Sequence, residues 1–348
     1  MSSVGVVVPC YRYGHLLRQS VGSVLDQPGV DVRVLIIDDA SPDDSAERAR
    51  ELAAEDPRVE VRVHPENRGH IATYNEGLLA WCDTDYAVLL SADDMVTPGA
   101  LTRAASFLDA HPGAGMVYGR YVRFDGGSTL PAVRTGRPDW RLHDGQQWLR
   151  RRFEQANGCI ASPEVMVRTA VQREVGGYDP ALPHTGDIEM WMRFAAHADV
   201  GHLGGVDQAY YRVHGANMSA TYLRDAGIGD LRQRWAAYES TLDKVGDRIE
   251  ARKELEGIVR RQLARDALWR ACRAYDHGRT QAEPVAELVA FALSTCDEAT
   301  HLKEYRGLVA RRWIGTNVMP SLRPLVLSAA WRRFRRELWW RRWARTGG

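Results

Sequence analysis

Two adjacent carboxylates, Asp93 and Asp94, follow the apolar run 86–90. Neighbouring carboxylates repel each other unless a cation or hydrogen-bond donors compensate their charge. A hard divalent cation with oxygen ligands, bridging to a diphosphate, would provide that compensation. For a lone Asp-Asp pair, a solvated turn that caps a helix opening at Thr97 is the simpler interpretation.

A second acidic pair, Asp38-Asp39, follows the apolar run 32–37 and favours a ligand site over a solvated turn. Two strands of one sheet would then bring acidic residues to the same edge. A carboxylate at this edge can accept hydrogen bonds from a nucleobase N–H or a ribose hydroxyl. Helix capping stays plausible for Asp43 and Asp44 but is less so for Asp38 and Asp39. The two pairs together indicate a nucleotide site with a bound cation.

Three further segments carry polar residues suited to a phosphorylated ligand. Asn67-Arg68-Gly69 precedes a predicted helix, and both a helix N-terminus and an Arg suit phosphate. Asp187 lies in the first turn of another predicted helix and is the candidate general base, although it could serve as an N-cap at the same time. His214 lies in a Gly-containing loop and could close over a diphosphate or bind the metal, whereas a lone His is usually structural.

Strands and helices alternate along the first part of the chain and must position these side chains. Apolar runs predict strands at residues 4–9, 32–37, 59–63, 86–90 and 116–122, and helical spacing predicts helices at 16–25, 46–55, 71–80 and 97–110. This order predicts an α/β fold with a Rossmann-like, mostly parallel sheet covered by helices. Ligands of such sheets bind at the carboxyl ends of the strands, where both acidic pairs lie.

Charge and cysteine content limit the classes of function. Residues 1–220 contain 21 Arg, no Lys and 29 acidic residues, a net charge of −8, whereas residues 221–348 carry +9. An acidic first part suits metal ions better than nucleic acid. Five cysteines without paired spacing argue against a disulfide framework or a zinc site. We expect a cytoplasmic protein without a signal peptide or a transmembrane helix.

The chain is long enough for two domains and a distinct tail. We expect an α/β domain at 1–220, a helical domain at 221–315 and a basic, Trp/Arg-rich amphipathic tail at 316–348. Residues 125–160 are rich in Gly, Pro, Arg and Trp and show no period, which predicts a long active-site loop or insertion. Trp140 and Trp148 could contact a sugar or phosphate there, and loop filling explains them equally well.

Taken in chain order, these segments resemble the family 2 glycosyltransferases, which are inverting enzymes with the GT-A fold. The resemblance covers residues 4–219. Two positions depart from the family pattern, because Ser91 stands where an Asp is common and Gly186 stands where a Glu is common. The matching segments are Val6-Val7-Val8-Pro9-Cys10-Tyr11, 23–27, Ile36-Ile37-Asp38-Asp39-Ala40-Ser41, Asn67-Arg68-Gly69, Asn75-Glu76-Gly77, Ser91-Ala92-Asp93-Asp94, Gly176-Gly177-Tyr178-Asp179, 186–193 and Tyr211-Arg212-Val213-His214.

The resemblance implies a role for each matching position and a nucleotide-sugar donor of the UDP, dTDP or GDP type. It implies a single displacement at the anomeric carbon with inversion, assisted by Mg²⁺ or Mn²⁺. The implied residues are Pro9, Tyr11, Asp39 and Arg68 at the nucleobase, Asp93 at the ribose, Asp94 and His214 at the metal, and Asp187 as the base. The resemblance also implies that 1–220 is a nucleotide-sugar-binding catalytic domain with 125–160 as a loop on the acceptor side. Ser91 and Ala92 are counted with the nucleotide-sugar site, and Trp140, Trp148, Glu189 and Trp191 are further candidates on the acceptor side.

Two other classes of function compete with this interpretation. A sugar nucleotidyltransferase would share the fold and the acidic residues, but it should carry a Gly-rich basic loop after the first strand, where this chain has Pro9-Cys10-Tyr11. A non-catalytic scaffold with a degenerate transferase domain is disfavoured because Asp94, Asp187 and His214 are all present. The acceptor stays open between a lipid-linked glycan, a small-molecule aglycone and a protein.

The tail has a composition unlike the rest of the chain. Residues 331–345 hold seven Arg and one Glu among four Trp and a Phe. A basic helix with an aromatic face can lie in a membrane interface, each cation contributing ~1 kcal/mol against anionic lipid. Packing on the acidic catalytic domain is the alternative. RNA binding is disfavoured, since no recognised nucleic-acid module accompanies the tail.

Overall fold

The computed structural model describes residues 1–127, 129–158, 160–215, 217, 227–322 and 338. The chain divides into two compact units. Among the described residues, the first unit comprises 1–148 and 160–214, and the second comprises 149–158 and the residues from 215 onward.

Strands and helices alternate up to residue 89, as the sequence predicts, and beyond it strands or helices also follow one another directly. The strands are β1 (Ser3–Cys10), β2 (Asp31–Asp38), β3 (Val59–Val63), β4 (Tyr86–Leu89), β5 (Met95–Val96), β6 (Ala114–Tyr118), β7 (Tyr121–Phe124), β8 (Asp139–His143), β9 (Val165–Arg168), β10 (Asp199–Gly204) and β11 (Ala209–Arg212). The helices are α1 (Gly14–Leu25), α2 (Ser45–Glu55), α3 (His70–Asn75) with a following π-helical turn (Glu76–Trp81), α4 (Ala100–Ala110), α5 (Gly145–Gln155), α6 (Thr169–Val175) and α7 (Gly186–His197).

An eight-stranded sheet in the order β3-β2-β1-β4-β9-β6-β10-β8 forms the centre of the first unit. The strands β3, β2, β1 and β4 run parallel to one another, and β10 runs parallel to β6. β9 is antiparallel to both of its neighbours, and β8 is antiparallel to β10. The expected mostly parallel sheet with flanking helices is confirmed. A second sheet has three strands in the order β5-β11-β7.

The apolar runs form strands because both faces of the central sheet are covered. Val6, Val8 and Ile36 lie in one buried cluster with side chains of α1, α2 and α4. Continuous apolar strands are typical of parallel sheets with helices on both faces. Burial of this kind contributes about 25 cal/mol for each Å² of apolar surface removed from water.

The register brings the ends of these strands to one edge. Cys10 pairs with Asp38, and the Asp39 N–H donates to the Cys10 carbonyl at 2.9 Å. The His64 N–H donates to the Asp38 carbonyl at 2.9 Å, which extends the same row to the end of β3. The residues that follow β1, β2 and β3 are therefore neighbours.

The expectation of an irregular loop at residues 125–160 is wrong. This segment contains β8, which pairs with β10, and α5. β8 is an edge strand whose Asp139, Trp140 and Leu142 side chains are exposed, so it lacks the apolar pattern that reveals a buried strand. The predicted strand 116–122 is likewise two strands, β6 and β7, which belong to different sheets.

The second unit is helical over its described residues after 227, as predicted. Its helices are α8 (Ile228–Val245), α9 (Arg252–Asp276), α10 (Val285–Thr295), α11 (Lys303–Ile314) and α12 (Met319–Leu322). Residues 149–158 also belong to it, because the Tyr238 hydroxyl donates to the Arg152 carbonyl at 2.8 Å and the Phe153 and Tyr238 rings lie 5.0 Å apart. The predicted domain boundary at residue 220 therefore omits residues 149–158 from the second unit.

Two expectations about the C-terminal part concern membranes. In the described part of the chain, no helix is long and apolar enough to cross a membrane. Most of the expected amphipathic tail, at residues 323–337 and 339–348, lies outside the described residues.

Candidate functional site

The loops after β1 and β2 adopt an uncommon backbone conformation at the carboxyl edge of the sheet. Arg12 has a φ of 66° and Ala40 a φ of 57°, values that L-residues rarely adopt. The Arg12 N–H donates to Ser41 Oγ at 2.9 Å and joins the two loops. Strain of this kind costs of order 1–3 kcal/mol for each residue and clusters at functional sites.

An exposed aromatic ring lies on the loop after β1, at this edge of the sheet. Tyr11 is 40% exposed, and the Arg12 guanidinium carbon lies 5.2 Å from its ring centroid. Pro9 is half-buried at the last pairs of β1. An exposed ring at the carboxyl edge offers a flat apolar surface against which a planar base can stack.

Asp39 holds the turn that precedes α3. Its carboxylate accepts hydrogen bonds from the Arg68 N–H at 2.8 Å and the Gly69 N–H at 2.9 Å. Asn67 Nδ2 donates to the Asp39 carbonyl at 2.9 Å. The structure thus brings Asp39 and Arg68 together. Asp39 is only 4% exposed, and groups of the protein occupy most of the hydrogen-bond acceptor sites of its carboxylate.

His64 and Glu76 belong to the same cluster, and neither was assigned a role from the sequence. His64 Nδ1 lies 2.7 Å from Asp39 Oδ1, and its Nε2 lies 3.1 Å from Glu76 Oε2. Both imidazole nitrogens therefore face carboxylate oxygens, which only accept hydrogen bonds. Arg68 Nη1 donates to the same Glu76 oxygen at 2.8 Å. The signal for His64 was its place directly after β3, matching that of Asp39 after β2.

Asp93 and Asp94 lie on the loop between β4 and β5. His214 Nε2 lies 2.9 Å from Asp93 Oδ2, so the three residues singled out for ribose and metal are brought into one place. The backbone N–H of Arg212 donates to Asp94 Oδ1 at 2.8 Å, and Arg212 Nε donates to the Asp93 carbonyl at 2.8 Å. Burial, followed by the charge of Asp93, raises the pKa of Asp94 well above its usual range.

Ser91 and Ala92 precede this pair and differ in accessibility. Ser91 is half-buried, and its carbonyl accepts the Asp94 N–H at 3.0 Å to close the turn. The Ala92 side chain is buried. Both residues therefore shape the loop that carries the acidic pair, and Ala92 can reach a ligand only through its backbone.

The acidic pair suits a cation that takes part of its ligands from the substrate. Within the described residues, no three His, Cys, Asp or Glu side chains converge as a metal cluster. Mg²⁺ is commonly held by one or two carboxylates together with phosphate oxygens and water. A cation beside Asp94 would also relieve the cost of a buried carboxylate next to Asp93. The donor set therefore fits a divalent ion bound together with a diphosphate.

Asp187 lies in the first turn of α7, where the helix dipole favours an anion. The Tyr178 hydroxyl donates to its Oδ1 at 3.0 Å, and the Ser162 hydroxyl lies 3.3 Å from its Oδ2. Burial raises the pKa of Asp187 from 3.8 to about 6, and the hydrogen bonds from Tyr178 and Ser162 oppose that rise. A carboxylate of this kind is largely ionised at pH 7 yet accepts a proton readily.

Tyr74, on α3, lies near both Asp187 and the acidic pair. Burial raises the pKa of its phenol, and the charges of Asp187, Asp93 and Asp94 raise it further, in that order. All three carboxylates therefore lie within electrostatic reach of one hydroxyl. No pattern in the sequence indicates this role, because Tyr74 looks like an ordinary half-buried position of an amphipathic helix.

The four acceptor-side candidates do not form a common surface. Trp148 is buried, with its Nε1 3.3 Å from the Tyr118 hydroxyl. Trp191 is buried and donates to the Ile160 carbonyl at 3.3 Å. Trp140 is exposed on β8, where its ring packs against Phe107 and His111 of the α4 end.

The fourth candidate, Glu189, is also a core residue. It is fully buried and paired with Arg193 Nε at 2.7 Å. We therefore correct the acceptor-side assignment, because the side chains of Trp148, Trp191 and Glu189 fill the interior, and Trp140 belongs to an edge strand with its own packing.

The first unit resembles a known protein family. Residues 5–173 match the family model described as Glycosyl transferase family 2. An uncharacterized glycosyltransferase of Nostoc sp. is 24% identical over 226 residues, which cover 62% of this chain and 66% of that protein. The chain spans between 25% and 66% of the lengths of three curated relatives that it matches.

Solved structures share the fold at low sequence identity. TarS 1–349 of S. aureus in complex with UDP-GlcNAc superposes with a TM-score of 0.55 and 14% identity, covering 84% of this chain and 91% of that one. The mannosyltransferase PcManGT of Pyrobaculum calidifontis, in complex with GDP-Man and Mn²⁺, gives a TM-score of 0.53 and 16% identity, covering 89% of this chain and 86% of that one. The likeness establishes a GT-A type fold.

Proposed function

Residues 5–173 of this chain belong to glycosyltransferase family 2, and from that premise we propose that the protein is an inverting glycosyltransferase using a nucleotide-diphosphate sugar. One observation carries the proposal: His214 Nε2 lies 2.9 Å from Asp93 Oδ2, which brings the residues expected at the ribose and the metal into one place. Asp187, in the first turn of α7 and with a pKa that burial raises to about 6, would supply the base that an in-line transfer from a diphosphate needs.

The donor nucleotide would lie at the edge formed by β1, β2 and β3. Tyr11 offers an exposed ring for the base, and Pro9 lies beside it. Asp39 would act mainly by fixing the backbone of Arg68 and Gly69, so that the turn before α3 is ordered when the donor binds. The UDP-GlcNAc and GDP-Man in the two similar structures support a donor of the UDP, dTDP or GDP type.

Asp94 and His214 would hold the divalent cation, Mg²⁺ or Mn²⁺, with Asp93 reaching the ribose. When bound, such an ion neutralises charge on the diphosphate leaving group. The presence of Mn²⁺ in the PcManGT complex supports this choice. His214 reaches the pair from the loop after β11, while Arg212 donates from its backbone N–H to the Asp94 carboxylate and from its side chain to the Asp93 carbonyl.

Asp187 would act as the general base in a single displacement. As the acceptor oxygen or nitrogen attacks the anomeric carbon, the new bond forms on one face and the bond to the β-phosphate oxygen breaks on the other. The electron pair leaves with the nucleoside diphosphate, and the acceptor proton passes to the Asp187 carboxylate. Attack from the opposite face inverts the configuration, and no covalent enzyme intermediate is required.

A thermal-shift panel tests the donor class without knowledge of the acceptor. UDP, dTDP, GDP, CDP and ADP are each added with and without Mn²⁺. A ligand at 100 times its Kd stabilises the folded state by ~2.7 kcal/mol, which gives a clear rise in Tm. A metal-dependent rise with one nucleotide supports the proposal. A flat panel in well-folded protein would favour the scaffold with a degenerate transferase domain.

For the C-terminal part we propose peripheral contact with the inner face of the cell membrane. The described helix α11 supports it, because Trp313 is 89% exposed and Val309 is 50% exposed, with Arg306 and Arg312 exposed on the same helix. The buried free thiols of Cys10, Cys82, Cys272 and Cys296 suit a reducing, cytoplasmic compartment.

Flotation with anionic liposomes tests membrane contact. The full chain is compared with a chain lacking residues 328–348 and with a Trp313→Ser variant. Flotation that falls in both variants supports the proposal. Equal flotation of all three proteins would argue that neither the tail nor α11 contacts lipid.

A further inference from the structure

Tyr178 is held more firmly than an ordinary surface loop residue. It is 3% exposed and lies in the segment between α6 and α7. Its backbone N–H donates to Asn75 Oδ1 at 2.6 Å, and Asn75 Nδ2 donates to its carbonyl at 2.9 Å. The Tyr178 ring makes edge contacts with Tyr74 at 5.5 Å and Trp191 at 6.5 Å between centroids. Backbone and ring are therefore both fixed.

The glycines around this residue are needed for the same packing. A Cβ on Gly186 would come within 2.9 Å of Cδ1 of the Tyr178 ring, and a Cβ on Gly177 within 2.5 Å of Asn75 Oδ1. At this position Gly186 makes room for the tyrosine. The absence of a side chain at both positions allows the Tyr178 hydroxyl to reach α7.

The buried pair of Glu189 and Arg193 supports the segment from below. Arg193 Nη2 donates to the Gly177 carbonyl at 2.6 Å, and its Nη1 donates to the Val175 carbonyl. Glu189 accepts from Arg193 Nη2 at 2.8 Å. Glu189 therefore reaches the site only indirectly, by orienting the arginine that holds the residue before Tyr178.

From this geometry we propose that Tyr178 is the positioning residue of the catalytic base: its hydroxyl fixes the Asp187 carboxylate and favours its ionised form. The inference rests on the proposed role of Asp187. Ser162 Oγ lies farther away, 3.3 Å from Oδ2 and 3.5 Å from Oδ1, so Tyr178 makes the shorter of the two hydroxyl contacts to the carboxylate.

The other ionisable groups near Asp187 do not replace this donor. Burial raises the pKa of Glu164 well above its usual range, and the charge of Asp187 adds to that rise. Burial likewise raises the pKa of Tyr74. His184 lowers the pKa of Asp187 through its charge, but its contribution is smaller than those of Tyr178 and Ser162.

A double-mutant cycle across pH tests the proposal without any substrate. Urea unfolding is measured from pH 4 to pH 8 for the full chain, Tyr178→Phe, Asp187→Asn and the double variant. Because the folded-state pKa of Asp187 lies above its ordinary value of 3.8, its ionisation lowers stability as pH rises from about 4 to about 6. Without the hydroxyl the pKa rises further, and we expect this decline to extend to about pH 7.

Other titrating groups cancel in the cycle, so the extension must disappear in the Asp187→Asn background. Tyr86→Phe is the matched control, because it removes another buried hydroxyl that donates to a carboxylate, that of Asp109 at 2.6 Å. This control must leave the end of the decline assigned to Asp187 at the same pH as in wild type. A decline that ends at the same pH in Tyr178→Phe and wild type overturns the inference, and so does an extension that persists in the Asp187→Asn background.

The outcome also separates this inference from the proposed function. Once a donor is known, Asp187→Asn reports on the base itself. Normal transfer by Asp187→Asn removes the proposed mechanism, whatever Tyr178→Phe does. A different result would be that Asp187→Asn loses transfer while Tyr178→Phe keeps the acidic limb of kcat/KM at the same pH as wild type. That result rejects only the role proposed for Tyr178. If Tyr178→Phe fails to fold while Tyr86→Phe folds, the hydroxyl serves the fold and the positioning role is likewise rejected.

Discussion

The imidazole of His214 lies 2.9 Å from the carboxylate of Asp93, although 121 residues separate them in the sequence. This contact joins the loop after β11 to the loop after β4. The Tyr13 ring lies 5.5 Å from His214, so the residues after β1 meet the same imidazole. Three chain segments therefore converge on the acidic pair, and a diphosphate bound here would affect the conformation of all three.

Asp187→Asn should greatly reduce transfer while leaving donor binding intact. The amide keeps the size of the side chain and can still accept from Tyr178, but it cannot take a proton. We expect transfer to fall by ~10²- to 10⁴-fold, the usual contribution of a general base. Nucleotide-induced thermal shifts should match those of wild type, and a variant that turns over at the normal rate would exclude Asp187 as the base.

The pH profile of transfer should show one acidic limb near the pKa of Asp187. Burial sets that pKa at about 6, and only the ionised carboxylate can accept a proton. The rate constant kcat/KM should rise with pH, roughly tenfold for each pH unit below the pKa, and level off above it. The measurement is steady-state kinetics between pH 4.5 and 8.5. A rate that is already level at pH 5 would contradict the assignment.

Asp94→Asn should weaken the metal-dependent part of nucleotide binding. The substitution removes a charged oxygen ligand, and we expect the apparent affinity for Mn²⁺ with the nucleotide to fall by ~10-fold or more. Stability without ligand should stay equal or rise, because the neutral amide relieves a buried carboxylate whose pKa is raised by burial and by Asp93. Thermal shifts with and without Mn²⁺ measure both effects.

Glu51→Gln is the control for that experiment, since it removes an exposed acid from α2. Equal Mn²⁺ dependence in Asp94→Asn and Glu51→Gln would show that Asp94 is not a ligand. A loss confined to Asp94→Asn supports the proposed site.

His64→Ala should loosen the turn that carries Arg68. The variant leaves the Asp39 and Glu76 carboxylates without their shared partner, and buried acceptors that lose a donor cost ~1–3 kcal/mol each. We expect a lower free energy of unfolding and a smaller shift with the preferred nucleotide. His15→Ala, at an exposed position of α1, is the control, and similar losses in both variants would argue against the network.

The strand-end residues could be predicted because their chemistry and their place in the fold are both local. Asp39 and Asp94 follow recognisable apolar runs, and parallel strands bring such ends together. The helical nature of 228–314 was visible for the same reason, through spacing along one segment.

The supporting residues could not be predicted, because their partners are distant. Tyr178 looks like a loop residue until Asn75, 103 positions away, is seen to hold its backbone. Trp148 and Glu189 looked available because sequence does not report that a side chain is fully covered. β8 was missed because an exposed edge strand need not carry an apolar pattern.

The position of β9 in the central sheet bears on how the protein is made. β9 is the only described link between β4 and β6, yet it is synthesised after both of them. Until residues 165–168 leave the ribosome, the inner edge of β4 is open, and β6 has no partner in this sheet because β10 is synthesised later still. Open edges invite pairing with other chains, so this interval exposes the emerging protein to aggregation.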